Sequence, residues 1–234
     1  EYPYAEQIGA GKNLRDEKLA PLPRTKQAVA VHRREYYAII NHLDDQIGRV
    51  LKALDASGEA DNTWIFFTAD HGLSVGHHGL VGKQNQYDHS IRVPFVVVGP
   101  GVSAGVTDST PIYLQDVMPT TLELAGVKPP EHVFFKSLLP RLTLTTSTAR
   151  RKPYESIYGS YLKLQRSITH DGWKLIMYPD AQVIRLYHVQ DDPHETIDLA
   201  DRPEHADQVK ELFDHFIVLQ RELQDPVDVT YLRP

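Results

Sequence analysis

Apolar positions fall into two distinct patterns along the chain. The sharpest is Thr63-Trp64-Ile65-Phe66-Phe67-Thr68-Ala69, an unbroken β-branched and aromatic run that stops at Asp70-His71-Gly72. It is too short for a helix and lacks the alternation of a half-wet sheet, so it predicts a buried central parallel strand. In open α/β sheets ligands bind beyond the carboxyl ends of strands, which puts Asp70 and His71 at a functional rim. A second run, Val93-Pro94-Phe95-Val96-Val97-Val98, closes with Gly99-Pro100-Gly101 and predicts another strand. Between the two, Leu73 to Arg92 is rich in glycine and histidine and poor in aliphatic residues, the composition of a long functional loop.

The other pattern is helical. Tyr36, Ile40, Leu43, Ile47, Val50, Leu51 and Leu54 repeat at helical spacing and predict a helix over 29–56, ended by Ser57-Gly58. A second helix is expected over 114–125, closed by Gly126, with Pro119 in its first turns. A third, over 204–223, carries Val209, Leu212, Phe213, Phe216 and Leu219 on one stripe. Four short β-type runs, 154–161, 164–169, 173–178 and 183–189, are separated by turn residues such as Asp171-Gly172 and predict an antiparallel sheet that the last helix covers. The expected fold class is therefore α/β. A mostly parallel sheet flanked by helices occupies 1–150, opening with an irregular lead-in over 1–28, and an antiparallel α+β subdomain with a C-terminal helix occupies 151–234.

Composition narrows the function classes. With 234 residues and 41% hydrophobic content the chain can bury a sizeable core. A formal charge of -6, without long like-charge runs, argues against nucleic-acid and anionic-membrane partners. There is no apolar stretch near membrane-spanning length. The absence of Cys removes disulfides, thiolate metal sites and a Cys nucleophile from these residues.

Asp70 and His71, leaving a strand together, suit a metal or phosphoryl-type site, since at a strand exit both side chains can turn toward one ion. The competing reading makes Asp70 a turn cap and His71 a backbone partner. Lys83 follows in the same loop with His77, His78, His89 and Arg92, a set of cationic or protonatable donors suited to an anionic substrate. Asp44 and Asp45 lie about 100° apart on a helix and are read as structural. Asp192-Pro193-His194-Glu195 is read as turn chemistry.

An ordered set of motifs resembles one family. Leu43-Asp44-Asp45-Gln46-Ile47-Gly48-Arg49, Thr68-Ala69-Asp70-His71-Gly72, Gly76-His77-His78-Gly79 with Gly82-Lys83, Arg92-Val93-Pro94, and Asp116-Val117-Met118-Pro119-Thr120-Thr121-Leu122-Glu123-Leu124-Ala125-Gly126 follow the order found in formylglycine-dependent sulfatases. Ser137-Leu138-Leu139-Pro140, Gly172-Trp173-Lys174-Leu175-Ile176 and the segment from Leu186-Tyr187 to Glu195 extend the resemblance. It implies the alkaline-phosphatase-like fold and hydrolysis of a sulfate ester. Carried over by position, Asp70 and His71 resemble a pair of metal ligands, Lys83 a catalytic lysine that contacts the sulfate group, and His78 a substrate-side histidine. The implied metal is a divalent ion, calcium first; a His where many relatives have Asn leaves manganese and zinc open as well. The implied substrate is a sulfated small molecule or saccharide, and the implied location is periplasmic or secreted.

One departure matters. The family's nucleophile lies in a Cys/Ser-x-Pro-x-Arg motif, upstream of the Asp-His pair, whose first residue becomes formylglycine. Ser109-Thr110-Pro111-Ile112-Tyr113 lacks the Arg and lies downstream of that pair. The chain is thus expected to be the C-terminal portion of a sulfatase, inactive alone, with the N-terminal half of the same protein as its partner. The resemblance leaves two alternatives: a phosphodiester or phosphonate monoester hydrolase of the same superfamily, and a non-catalytic pseudoenzyme or binding module.

Overall fold

A computed structural model describes residues 14–20, 24–143 and 152–234, and the chain divides into two compact units that interleave in sequence. One unit comprises residues 1–33, 71–93 and 155–234; the other comprises 34–70 and 94–154. The expected boundary at 150/151 and much of the expected lead-in lie outside the described residues.

In the first unit, four strands form an antiparallel meander: β3 (Ser156–Tyr161), β4 (Gln165–His170), β5 (Trp173–Tyr178) and β6 (Val183–His188). The expected four runs are all present, each within a residue or two of the predicted ends. Helix α5 (Ala206–Glu222) lays Val209, Leu212, Phe213 and Phe216 against Ile168, Leu175, Met177 and Leu186. Their spacing puts all four on one helical stripe, and each fully buried side chain of this type contributes about 1.5–3 kcal/mol.

The opposite face of the sheet is covered too. Ile176, Tyr178 and Tyr187 pack with Leu80 and Tyr87 of the 71–93 loop. Side chains alternate along a strand, so Leu175 and Met177 face α5 while Lys174, Ile176 and Tyr178 face the loop. This double cover explains why β5 reads as a nearly continuous apolar run and is buried from Lys174 to Tyr178.

In the second unit, β1 (Ile65–Thr68) and β2 (Phe95–Val98) pair antiparallel, with Ile65 opposite Val98 and Thr68 opposite Phe95. The expectation of a buried central parallel strand is corrected here. The connection between the strands carries only short helical turns, including α2 (Asp88–Ile91), rather than the long crossover helix a parallel neighbour requires. Phe67, Val96 and Val98 are 43%, 52% and 56% exposed, so one face of this pair is uncovered.

Helix α1 (Lys26–Ser57) begins three residues earlier than its apolar spacing suggested and has no buried residue, with Ile40, Leu43, Val50 and Leu51 all exposed. Helix α3 (Val117–Leu124) follows a 3-10 turn at Leu114–Asp116, and α4 (Leu139–Thr143) lies beyond it. A buried Asp116 ties this region together. Its carboxylate accepts from Tyr154 Oη at 2.5 Å, from the Tyr113 amide at 2.9 Å and from the Lys136 amide at 3.0 Å. Thr120 extends the network by donating to the Asp116 carbonyl and accepting from the Leu138 amide.

Candidate active-site loop

The 71–93 loop has defined internal architecture. Ser74, Val75 and Gly76 donate their amides to Gly82, Val81 and Leu80, folding the loop back on itself like a short hairpin. That return brings Lys83 back to the level of His71. Two glycines make the path possible: a Cβ on Gly72 would stand 2.0 Å from the His89 carbonyl oxygen, and one on Gly76, whose φ is +100°, would stand 2.3 Å from Val29 Cγ1.

Glu17 secures the hairpin from below. Its buried carboxylate accepts from the Val81 amide and, at 2.8 Å, from the Gly82 amide, and it pairs with Arg24 at 2.7 Å. At the far end of the loop, Lys174 is fully buried and donates to Asp88, to Glu195 at 2.7 Å and to the Gln86 carbonyl at 3.2 Å. Glu195 also accepts from the Asp88 amide at 2.7 Å. Burial pushes the Glu195 carboxyl up, against the pull of Lys174. Asp192-Pro193-His194-Glu195 is therefore more than turn chemistry, because it delivers a carboxylate that bolts the loop to the sheet.

The loop holds His71 and Lys83 in direct contact. His71 Nδ1 lies 3.0 Å from the Gly72 carbonyl oxygen, and Lys83 Nζ lies 2.6 Å from His71 Nε2. A carbonyl can only accept, so Nδ1 carries the proton. Nε2 is then left with the lone pair that accepts from the Lys83 ammonium. A backbone carbonyl on one ring nitrogen, with the lone pair of the other turned toward a cation, is the arrangement found for metal-binding histidines. The same tautomer would let His71 Nε2 serve as a ligand to a divalent metal. Asp70 lies two residues beyond the end of β1 and is exposed.

His78 keeps different company. It adopts φ +53°, donates Nε2–H to the His194 carbonyl at 3.1 Å, and stacks on Tyr87 with ring centroids 3.8 Å apart. His77 stacks on both His89 and His194, at 5.6 and 5.5 Å. Burial lowers the pKa of His77 and His78, and holds His89 at about 3. These imidazoles are neutral near pH 7. Arg92 is largely exposed and pairs with Asp88 at 3.5 Å. Glu17, Arg24 and Lys174 are the supporting residues that sequence reasoning missed.

Two family profiles match the chain: Sulfatase over residues 2–127, and N-sulphoglucosamine sulphohydrolase, C-terminal, over residues 76–222. The chain belongs to the sulfatase family. It is 32% identical over 201 residues to an N-acetylglucosamine-6-O-sulfatase of Bacteroides thetaiotaomicron, covering 82% of this chain and 36% of that protein. A structure solved with its substrate, D-glucosamine-2-N,6-O-disulfate, superposes with a TM-score of 0.79 at 26% identity, covering 94% of this chain and 47% of the other. A phosphonate monoester hydrolase from Silicibacter pomeroyi has the same fold, with a TM-score of 0.76 at 23% identity, covering 86% of this chain and 43% of that one. The chain spans between about a third and a half of the length of the proteins it matches. The fold class expected from sequence, part of an α/β domain with a C-terminal antiparallel subdomain, agrees with these neighbours. Members of the family use a divalent metal.

Proposed function

We propose that this chain supplies the metal-binding exit of β1 and the sulfate-contacting lysine of a hydrolase that cleaves sulfate esters of a sulfated saccharide. The observation that carries the reading is the pairing of Lys83 with His71, a point charge set against an imidazole lone pair on a loop fixed at both ends. Asp70 and His71 would hold the metal. The Asp70 oxygen suits calcium, and the His71 nitrogen leaves manganese and zinc open as well. The bound ion supplies positive charge that acidifies the nucleophile and offsets charge developing on the sulfate oxygens.

In this reading the N-terminal half of the protein would supply a formylglycine hydrate as nucleophile toward sulfur, and the S–O bond to the sugar oxygen would break as that oxygen takes up a proton. Lys83 donates a hydrogen bond to the sulfate or to the departing oxygen as it gains charge, where a preorganised cation is most effective. His78, neutral and locked through Nε2, offers only Nδ1 to substrate, as an acceptor. In this reading the N-terminal half would cover the exposed face at Phe67, Val96 and Val98 and the exposed apolar residues of α1.

The phosphonate monoester hydrolase neighbour supports a second reading, in which the same loop binds a phosphonate. Paired kcat/KM measurements on the full-length protein separate the two. An excess for 4-nitrophenyl sulfate or glucosamine 6-sulfate over phenyl phosphonate monoester supports the sulfatase reading. A preference for the phosphonate ester overturns it.

A further inference from the structure

Helix α5 carries a second set of ligating side chains that the 71–93 loop does not use. Its apolar stripe faces the sheet, whereas Glu211 and His215, four residues apart and so one turn apart, share another face of the helix. His170, the last residue of β4, meets them there. The His170 and His215 rings stand edge to face at 4.3 Å between centroids. One donor atom from each of His170, Glu211 and His215 lies within 4.8 Å of the other two, and this is the only such trio of His or acidic residues among the described residues.

Hydrogen bonding prepares His170 for a cation. Its Nδ1 lies 3.0 Å from the Glu155 carbonyl oxygen and 2.9 Å from Ser156 Oγ. The carbonyl fixes the proton on Nδ1, so Nε2 presents the lone pair in the neutral ring. Asp171 Oδ2 lies 3.7 Å from that Nε2, adding a carboxylate on the side where the lone pair points. Glu211 is supported as well, because Gln208 donates to its Oε2 at 3.3 Å. Ligating histidines and carboxylates are oriented in this way by outer partners.

We propose that His170, Glu211 and His215 bind one divalent ion of the zinc class, with Asp171 or water in the fourth position, pinning α5 to the end of β4. Two imidazole nitrogens and a carboxylate oxygen favour zinc over calcium, which takes oxygen ligands. Around a tetrahedral ion with bonds of about 2.1 Å, donors stand roughly 3.4 Å apart. The present spacing therefore needs only a small rotamer closure. No residue of this trio is among those assigned to the sulfate ester.

The test uses the full-length, metal-stripped protein carrying Asp70→Ala, which disables the ligand pair in the loop. Zinc chloride is titrated calorimetrically, and cobalt chloride is followed by its visible ligand-field absorption. The expected result is one equivalent of bound zinc, a cobalt spectrum of tetrahedral intensity and a zinc-dependent rise in Tm. Affinity should fall at least tenfold in both His215→Ala and Glu211→Gln. Glu211 is exposed, so its variant tests the site even if His215→Ala folds poorly. No zinc uptake in the Asp70→Ala background, or uptake undiminished by both substitutions, overturns the proposal.

Discussion

Lys83 Nζ sits 2.6 Å from His71 Nε2, on the one imidazole lone pair that the Gly72 carbonyl leaves open. An ammonium and a metal ion cannot share that lone pair, so metal uptake at His71 would release Lys83 toward substrate. In the full-length protein His71→Ala should weaken divalent-metal affinity at least tenfold. Lys83→Met should leave the affinity equal or higher, because it removes a competitor. Calorimetric titration of the two variants with calcium and manganese checks this, and weaker binding in Lys83→Met would contradict it.

The Lys174 cluster should be a mechanical anchor for the loop. Lys174→Met removes the cation from the Asp88 and Glu195 carboxylates, and breaking a buried ion pair costs about 3–5 kcal/mol. Urea unfolding should show a loss of that order. The triple replacement Lys174→Met, Asp88→Asn, Glu195→Gln should recover part of it, since no buried charge is then left alone.

Asp116 plays the corresponding part in the second unit. Asp116→Ala removes the acceptor for Tyr154 Oη and two amides, and each stranded buried donor costs about 1–3 kcal/mol. Asp116→Asn retains one carbonyl acceptor and should lose less. Thermal denaturation of both variants gives the order: a larger loss for Asn than for Ala would contradict the assignment.

His89 predicts a pH dependence with a definite sign. Unfolded, it takes up a proton near pH 6.5; folded, burial delays protonation to about 3. Between those values the unfolded state binds more protons. Stability is therefore full above about pH 6.5 and falls as pH drops, by up to about 1.4 kcal/mol per unit. Urea midpoints at pH 7 and pH 5 should converge in His89→Gln relative to wild type. An unchanged pH slope in the variant would show that His89 is not the source.

How much of this was legible depends on whether a residue's partners are near it in sequence. The four short β-type runs announced the antiparallel sheet, and the α5 stripe at Val209, Leu212, Phe213 and Phe216 announced which face the helix takes. Asp70, His71, Lys83 and His78 could be named because motif order marks them. The direction of β1 against β2 could not, since an apolar run reports burial and not the sense of its neighbour. Lys174 is buried because a loop about 90 residues earlier lies over it, and nothing in its neighbours along the strand marks that. Glu17 sat in a stretch with no periodicity and binds amides more than 60 residues away. Such contacts leave no local trace in composition or spacing.

The central claim is that Lys83 is the cation acting on the sulfate group, and sulfate release by the full-length protein tests it most directly. With glucosamine 6-sulfate as substrate, Lys83→Met should lower kcat by about 100- to 1000-fold, as expected for loss of one preorganised donor, while the variant keeps its fold and its metal. A Lys83→Met protein that is folded, metal-loaded and still turns over within a few-fold of wild type would contradict the account.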